Sequence, residues 1–561
     1  MKHKLLLSAL LLGALATQAQ TLQWAHGIGS TGIEEGIAVT TDATGNVYNT
    51  GGFMGTVDFD PSSNVANLSN TTGIDIFVSK YDANGNYLWA KQIGGSNLDS
   101  KPRAIAVDAT GNVYITGFFI GTVDFDPSAA SFNMTATNQD IFVCKLDASG
   151  NFVWAKAMSG ISSEAGQALT LDATGNIYLT GYFNSTVDFD PNAGVANLSN
   201  STGADIFVAK YDNNGNYIWA KQLGGSSSNC YGNGIDVDGS GNVYTVGSFQ
   251  GNVDFDPSAA SAPLGSIGFQ DGFISKLDAG GNYVWANRIG GSTSDEILGI
   301  DMDASGNIHI TGFFEGACDF DPSAGIANLT NSAGLDIFVA KYDINGIYLW
   351  AKQIGGSSFD ANGKSIKVDA SGNVYSSGFF AGTVDFDPSA GTNNLIASGP
   401  SGNNNAYVSK LDMNGNFVWA ANLGGTGGDI GNCVTVDASG NIITTGNFSG
   451  TADFDPYPAI YNLTSAGSTD LFLVKLHPAI TLNIQEAAAG FEALVYPNPA
   501  TSEITIRTAE NLESVLVYNL LGELVQQEGT NTFSVEQLPA GIYTLQIKTV
   551  KGIGTTRFVK H

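Results

Sequence analysis

Positive charge is scarce in this chain. Only four of its 561 residues are arginine (Arg103, Arg288, Arg507 and Arg557), and 23 lysines and arginines face 52 aspartates and glutamates, a formal net charge of −29. So acidic a surface repels phosphate backbones and argues against a nucleic-acid partner. Cysteine is equally sparse. Cys144, Cys230, Cys318 and Cys433 show neither a disulfide framework nor zinc-ligand spacing and read as small side chains in small pockets. The five histidines (His3, His26, His309, His477 and His561) are scattered, and no Ser/His/Asp set or phosphate loop accompanies them. Long apolar runs are missing too, so no transmembrane segment is expected. The one apolar stretch, Leu5 to about Leu15, follows Lys2 and Lys4 and leads into Ala16-Thr17-Gln18-Ala19-Gln20. A basic start, a short apolar core and a small-residue site predict a signal peptide over residues 1–19, and hence export.

Glycine, by contrast, is abundant at 71 residues, and with Asn, Asp, Ser and Thr it supplies the vocabulary of tight turns between short strands. The tetrapeptide Asp-Phe-Asp-Pro begins at Asp58, Asp124, Asp188, Asp254, Asp319, Asp385 and Asp453, at spacings of 66, 64, 66, 65, 66 and 68 residues. All seven tryptophans, at 24, 89, 154, 219, 285, 350 and 419, keep the same beat, as do the Gly-Asn pairs that begin at Gly45 and end at Gly440. Three registers therefore agree on seven repeats.

The second repeat divides into four strands: Ala104 to Asp108, Val113 to Phe118, Asp140 to Leu146 and Phe152 to Ala157. Two hairpins joined by a longer connection make a four-stranded antiparallel sheet with two apolar faces. Such a sheet buries itself only by stacking on its copies around an axis. The array starts with a bare fourth strand around Trp24 and stops after a third strand at Leu471 to Leu476. The expected fold is thus all-β: a seven-bladed β-propeller of four-stranded blades over residues 20–478, closed by its own N-terminal strand. The tryptophans are expected to pack between blades.

Segments such as Asp140 to Lys145 (DIFVCK), Trp89 to Gly95 (WAKQIGG) and Gly111 to Gly117 (GNVYITG) resemble the bacterial SBBP β-propeller repeat. That resemblance implies the propeller fold and an exported location, and no agreed activity. Residues 479–492 read as a linker, and 493–561 as a small C-terminal β-sandwich with period-two patterning. This tail resembles the C-terminal sorting domain of the type IX secretion system of Bacteroidota. Its matching residues are Tyr496-Pro497-Asn498-Pro499, the VYNLLGELV segment with Gly522, and the run Leu538, Pro539, Gly541 and Tyr543. The resemblance implies the type IX machinery as a partner, with the cargo released or attached to the outer-membrane surface.

Each Asp-Phe-Asp-Pro segment places two carboxylates on one side of an extended stretch. The pairs Asp58/Asp60, Asp124/Asp126, Asp188/Asp190, Asp254/Asp256, Asp319/Asp321, Asp385/Asp387 and Asp453/Asp455 are candidate calcium ligands and, on the plainer reading, turn-stabilising side chains. Calcium is the one cofactor suggested. The Asp-x-x-Gly-Asn segments such as Asp82 to Asn86 read as hairpin turns. Each third strand carries a lysine (Lys80, Lys145, Lys210, Lys276, Lys341, Lys410, Lys475) five residues after an acidic or amide residue, which suggests an ion pair between neighbouring blades. An active site on a propeller would break the symmetry with unique residues at the axis. None stands out from the sequence, so the chain reads as a non-enzymatic binding or adhesion module. The alternatives are a structural matrix component and a propeller hydrolase or lyase with an axial site. The long connections Ser131 to Gln139, Ser261 to Gln270 and Gly391 to Asn404 form the expected binding face for a glycan or surface protein.

Overall fold

In a computed structural model, residues 20–477 and 493–561 are described, apart from 71, 96–98, 201–202, 226–228, 332–333, 357–360, 400–402, 457–458, 509–510, 520–523 and 551. The expected signal peptide and linker fall outside these residues. Every regular element among the described residues is a strand, and the chain separates into two compact units, Met1–Ala479 and Ile480–His561.

Among the described residues the first unit holds seven four-stranded antiparallel cores. In the second, the strands are Lys101–Val107, Val113–Asp124, Asn133–Leu146 and Phe152–Gly160. The strand-three to strand-four turns explain their Asp-x-x-Gly-Asn sequences. Asp82 Oδ1 accepts the N–H of Asn84 (2.8 Å) and of Asn86 (2.9 Å), while Asn86 Nδ2 donates to Oδ2 (2.8 Å). Gly85 takes a φ of 84° there, a left-handed conformation that glycine adopts without steric cost.

These turns also fasten one blade to the next. The Trp89 indole N–H donates to the Ala148 carbonyl in the second blade's turn at 3.3 Å. Gly150 of the same turn lies so close to Trp89 that a Cβ would come within 3.1 Å of the ring. Trp24 does the same for Ala83 at 3.4 Å, and Trp219 for Ala279 at 3.3 Å. The tryptophans do pack between blades.

The third-strand lysines behave differently from the ion pair expected. Lys145 Nζ lies 4.8 Å from the centre of its own blade's Tyr114 ring and donates to the Asn213 carbonyl of the next blade at 3.1 Å. Lys341 and Lys475 do pair with carboxylates, but within their own blades, at 3.0 Å from Asp303 and 2.9 Å from Asp437. The aspartate five residues earlier sits at the opposite end of the strand, where in the first blade Asp75 takes a bond from Gln92 at 2.7 Å. A seven-residue strand simply separates the two charges too far to pair.

The ring closes at a seam. Thr21–Ile28 pairs antiparallel with Asp470–His477, aligning Trp24 with Lys475 and Ile28 with Leu471. Each inner strand packs on the inner strand of the next blade, and the seventh, Ile430–Val436, on the first, Glu34–Thr41. The core is interleaved accordingly: Tyr48, Ile76 and Val78 of the first blade share one cluster with Ile105, Ile115 and Phe142 of the second.

The C-terminal unit is a two-sheet sandwich. Ala493–Tyr496, Glu503–Thr508 and Thr532–Ser534 form one sheet; Leu524–Glu528, Leu512–Tyr518, Gly541–Thr549 and Gly552–Lys560 form the other. Ile504, Val515, Leu545 and Phe558 fill the space between them.

Candidate ligand site at the propeller axis

The residues facing the axis are placed there by a bulge repeated in all seven inner strands. In strand two of each blade a glycine lies against an inner-strand carbonyl: a Cβ on Gly117 would fall 2.1 Å from Lys101 O, and one on Gly51 1.8 Å from Glu35 O. Beyond that contact the register slips by one residue, between Pro102 and Ala104 in the second blade and between Gly36 and Ala38 in the first. The extra residue is carried out of the ladder. Around the ring these extra residues are Ile37, Arg103, Gln167, Asn233, Leu298, Lys364 and Asn432.

All seven line one cavity of about 450 Å³, together with Glu35, Ile430 and Asn447. That volume is within the range of small-molecule sites. This bulged position carries six residue types in seven copies. The Asn233 amide donates to Ile297 O of the next blade at 3.0 Å, and the Asn432 amide of the seventh blade to Gly36 O of the first at 2.9 Å. Both asparagines are therefore held in place by neighbouring backbone, with their amide oxygens still able to accept.

The electrostatics are unusual for so acidic a chain. Glu35 pairs with Lys101 at 3.0 Å. Arg103 has the Phe118 ring 5.6 Å away and, like Lys364, no hydrogen-bond or ion-pair partner among the described residues. Arg103 is open to water yet crowded by protein, as a channel wall requires, and desolvation lowers the pKa of its guanidinium. Lys364 is lowered by desolvation and then by the Arg103 charge, with Glu35 opposing. Further along the same inner strands, Asp236, Asp301 and Lys367 form a second polar group. Lys367 Nζ lies 2.6 Å from Asp301 Oδ1, and burial followed by the Asp301 charge raises the Asp236 carboxyl.

The aspartate pairs, the candidate calcium ligands, serve the loops. Asp124 Oδ1 accepts the N–H of Asp126 at 3.0 Å and of Phe132 at 2.8 Å. Asp58, Asp188, Asp254, Asp319, Asp385 and Asp453 accept the equivalent pair. Asp60, Asp126, Asp190, Asp256, Asp321 and Asp387 each cap the N–H two residues on. In the seventh copy Asp455 donates its own N–H to Asp453 Oδ1 at 3.0 Å, as its six counterparts do, and the residue it would cap, 457, lies outside the described residues. Among the described residues no group of three or more His, Cys, Asp or Glu side chains is placed to hold a metal ion, so no pair from Asp58/Asp60 to Asp453/Asp455 gathers a third such ligand. An extended stretch can offer two carboxylates to one side, but here the first of each pair is turned back onto its own loop's N–H groups. The phenylalanine between the aspartates is core: Phe125 is fully buried, edge-on to Phe119.

The long connections expected to form the binding face contain, in their described residues, the return strands of outer hairpins, such as Pro263–Gly265 and Asn394–Ile396. Thr186–Asp188 pairs with Asn197–Ser199 and also with Ser159 and Gly160 of the preceding blade. A groove of about 520 Å³ beside such a hairpin is lined by Asp205, Gln222, Asp254 and Asp256. A similar one recurs at Arg288, Asp319 and Asp321. Repetition marks these grooves as products of blade stacking, whereas the axial cavity draws one bulged residue from each of the seven blades.

In the C-terminal unit, Asn498 straps the YPNP segment to the last strand, donating to Arg557 O at 3.2 Å and accepting from Val559 N at 2.8 Å. Pro497 and Pro499 flank it, and Tyr496 is largely exposed. Leu538 is buried; Tyr543 donates to Pro539 O at 2.8 Å and stacks on Phe558; Gly541 opens its strand. Gly522 lies outside the described residues.

Comparison with known proteins agrees with both halves of this architecture. Residues 494–561 match the secretion system C-terminal sorting domain, and 88–117 and 218–252 match the SBBP beta-propeller repeat. The chain is 26% identical over 513 aligned residues to the uncharacterized WD repeat-containing protein L264 of Acanthamoeba polyphaga mimivirus, covering 78% of this chain and 36% of that one. It is 25% identical over 182 residues to the regulatory protein FlaEY of Caulobacter vibrioides, covering 32% and 19% respectively. The chain thus spans well under half the length of these curated relatives. Among solved structures, Sqt1 from Chaetomium thermophilum aligns over 77% of this chain and 97% of its own at 10% identity, with a TM-score of 0.36.

Proposed function

We propose that this chain, which carries SBBP propeller repeats and a type IX sorting domain, is an exported, non-enzymatic binding module that takes a small polar ligand, or the end of a larger one, at the propeller axis. On this reading residues 1–19 direct inner-membrane export, 20–478 bind, and 493–561 engage the type IX machinery, so that the propeller works outside the cell or on its surface. One observation carries the proposal: each of the seven blades turns one bulged residue into a single axial cavity, and those seven residues are of six types. Repetition serves the scaffold, and a site that recognises an asymmetric ligand needs unlike groups at like positions.

The test is a glycan and small-metabolite screen on the full chain and on Leu298→Trp, whose larger side chain fills the cavity. Binding that disappears in Leu298→Trp at unchanged melting temperature supports the axial site. Binding that survives returns the site to the outer hairpins.

A second reading is favoured by the same asymmetry, because an axial cluster of unlike polar groups is also what a propeller hydrolase or lyase would show. Glu296, at the same register as Glu35, has its pKa raised by burial, as a catalytic acid would. Release of product from a bound ligand, lost in Glu296→Gln, would establish that reading.

A further inference from the structure

Resting on the axial reading, we infer that the ligand carries a carboxylate, held between Arg103 and Lys364, and that it is an acidic sugar of the uronate class. Two cations share one cavity in a chain of net charge −29. A folded protein normally pairs such groups, since crowding two like charges in a partly desolvated space costs stability. The Glu35 charge acts on both cations but its carboxylate is already committed to Lys101 at 3.0 Å. Neither Arg103 nor Lys364 makes a hydrogen bond or ion pair among the described residues, so the arrangement is completed by an anion from outside.

The charge balance selects the type of anion. The charged groups that line the cavity are Arg103, Lys364 and Glu35, which leaves one positive charge for a monoanion to neutralise. A guanidinium fork suits the planar carboxylate, whereas a phosphate dianion would overfill the site and meet Glu35. The remaining lining suits hydroxyl groups. Gln167, Asn233, Asn432 and Asn447 supply amide donors and acceptors, and Leu298, Ile37 and Ile430 offer an apolar surface to the carbon face of a sugar ring.

The experiment is calorimetric titration of the full chain with a methyl galacturonoside, which carries one carboxylate, its neutral methyl ester and inorganic phosphate. The expected result is binding of the galacturonoside that weakens as salt is raised, with the ester and phosphate at least tenfold weaker. Arg103→Gln with Lys364→Gln should lower affinity for the galacturonoside at least tenfold at unchanged melting temperature, while Lys364→Arg keeps it. Equal binding of the ester would overturn the carboxylate assignment and leave the axial binding reading intact. Preference for phosphate would overturn it in favour of another anion. Binding of none of the three probes would overturn it as well, and the broader screen on Leu298→Trp then decides the binding reading separately.

Discussion

Lys367 Nζ sits 2.6 Å from Asp301 Oδ1, on the neighbouring blade's inner strand, and its charge also acts on Asp236 one blade further round. One ammonium thus serves two carboxylates. Replacing it with methionine leaves both without a counter-charge. Asp236, already raised by burial and by Asp301, is then driven higher. A carboxyl whose folded-state pKa is raised stabilises the protein while protonated and loses that contribution as pH rises through the folded value. Lys367→Met should therefore cost about 1–3 kcal/mol, after allowance for the lysine's partial exposure, and more at pH 8 than at pH 5. Urea unfolding at the two pH values measures it, and an equal loss at both would contradict the argument.

Asp140 and Glu164 make a second prediction. They are fully buried at the junction of the second and third blades, without well-formed hydrogen bonds. Burial, and then the Asp140 charge, push the Glu164 carboxyl up to about 8. By the same sign rule, the stability this proton supplies is present below pH 4.5 and is lost as pH climbs through 8. Glu164→Gln should flatten that decline and exceed the wild type by roughly 2 kcal/mol at pH 8. A thermal melt series from pH 4.5 to 9 reads the difference, and parallel curves would show that Glu164 does not carry it.

Trp219 is 9% exposed and bonds the next blade's turn at Ala279. Trp219→Ala should destabilise by about 3–5 kcal/mol without changing the secondary structure of the folded fraction, because it removes side-chain packing and leaves the backbone ladder of its own sheet in place. Circular dichroism with denaturant titration tests this. A loss under 1 kcal/mol would mean that the turns are held together by other contacts.

Asp124→Ala separates the two readings of the paired aspartates. As a loop cap receiving two backbone N–H groups, it should cost about 1–2 kcal/mol whether calcium or a chelator is present. A cost that appears only in calcium would make Asp124 a metal ligand.

The repeated parts of the molecule could be read from its sequence. Asp-Phe-Asp-Pro, the tryptophans and the Gly-Asn turns keep one period because each does one job in every blade. The bare fourth strand around Trp24 foretold the seam. What periodicity conceals is what it does not repeat. The inner strand of the second blade was expected from Ala104, yet it begins at Lys101. The bulge breaks the apolar alternation there, Pro102 imitates a loop, and Arg103 fell just outside the expected strand. Aligning the seven inner strands on the strand-two glycine would have exposed Ile37, Arg103, Gln167, Asn233, Leu298, Lys364 and Asn432 as one variable column. The outer hairpins were missed for a different reason: three-residue strands such as Thr56–Asp58 are too short to show a period. The expected lysine pairs across blades failed because sequence spacing says which residues share a strand, not which end meets a neighbour.

The seam between Thr21–Ile28 and Asp470–His477 makes the propeller's N-terminal strand the last that can find its place. Until residue 477 is available, the N-terminal strand has no hydrogen-bonding partner and the ring stays open, so six blades' worth of chain must wait on its far end. Assembly therefore favours passage of the whole polypeptide before the ring locks. A cut anywhere in residues 478–492 would detach the sorting module downstream of every residue in the seam, and the clasp that holds the ring shut would remain whole.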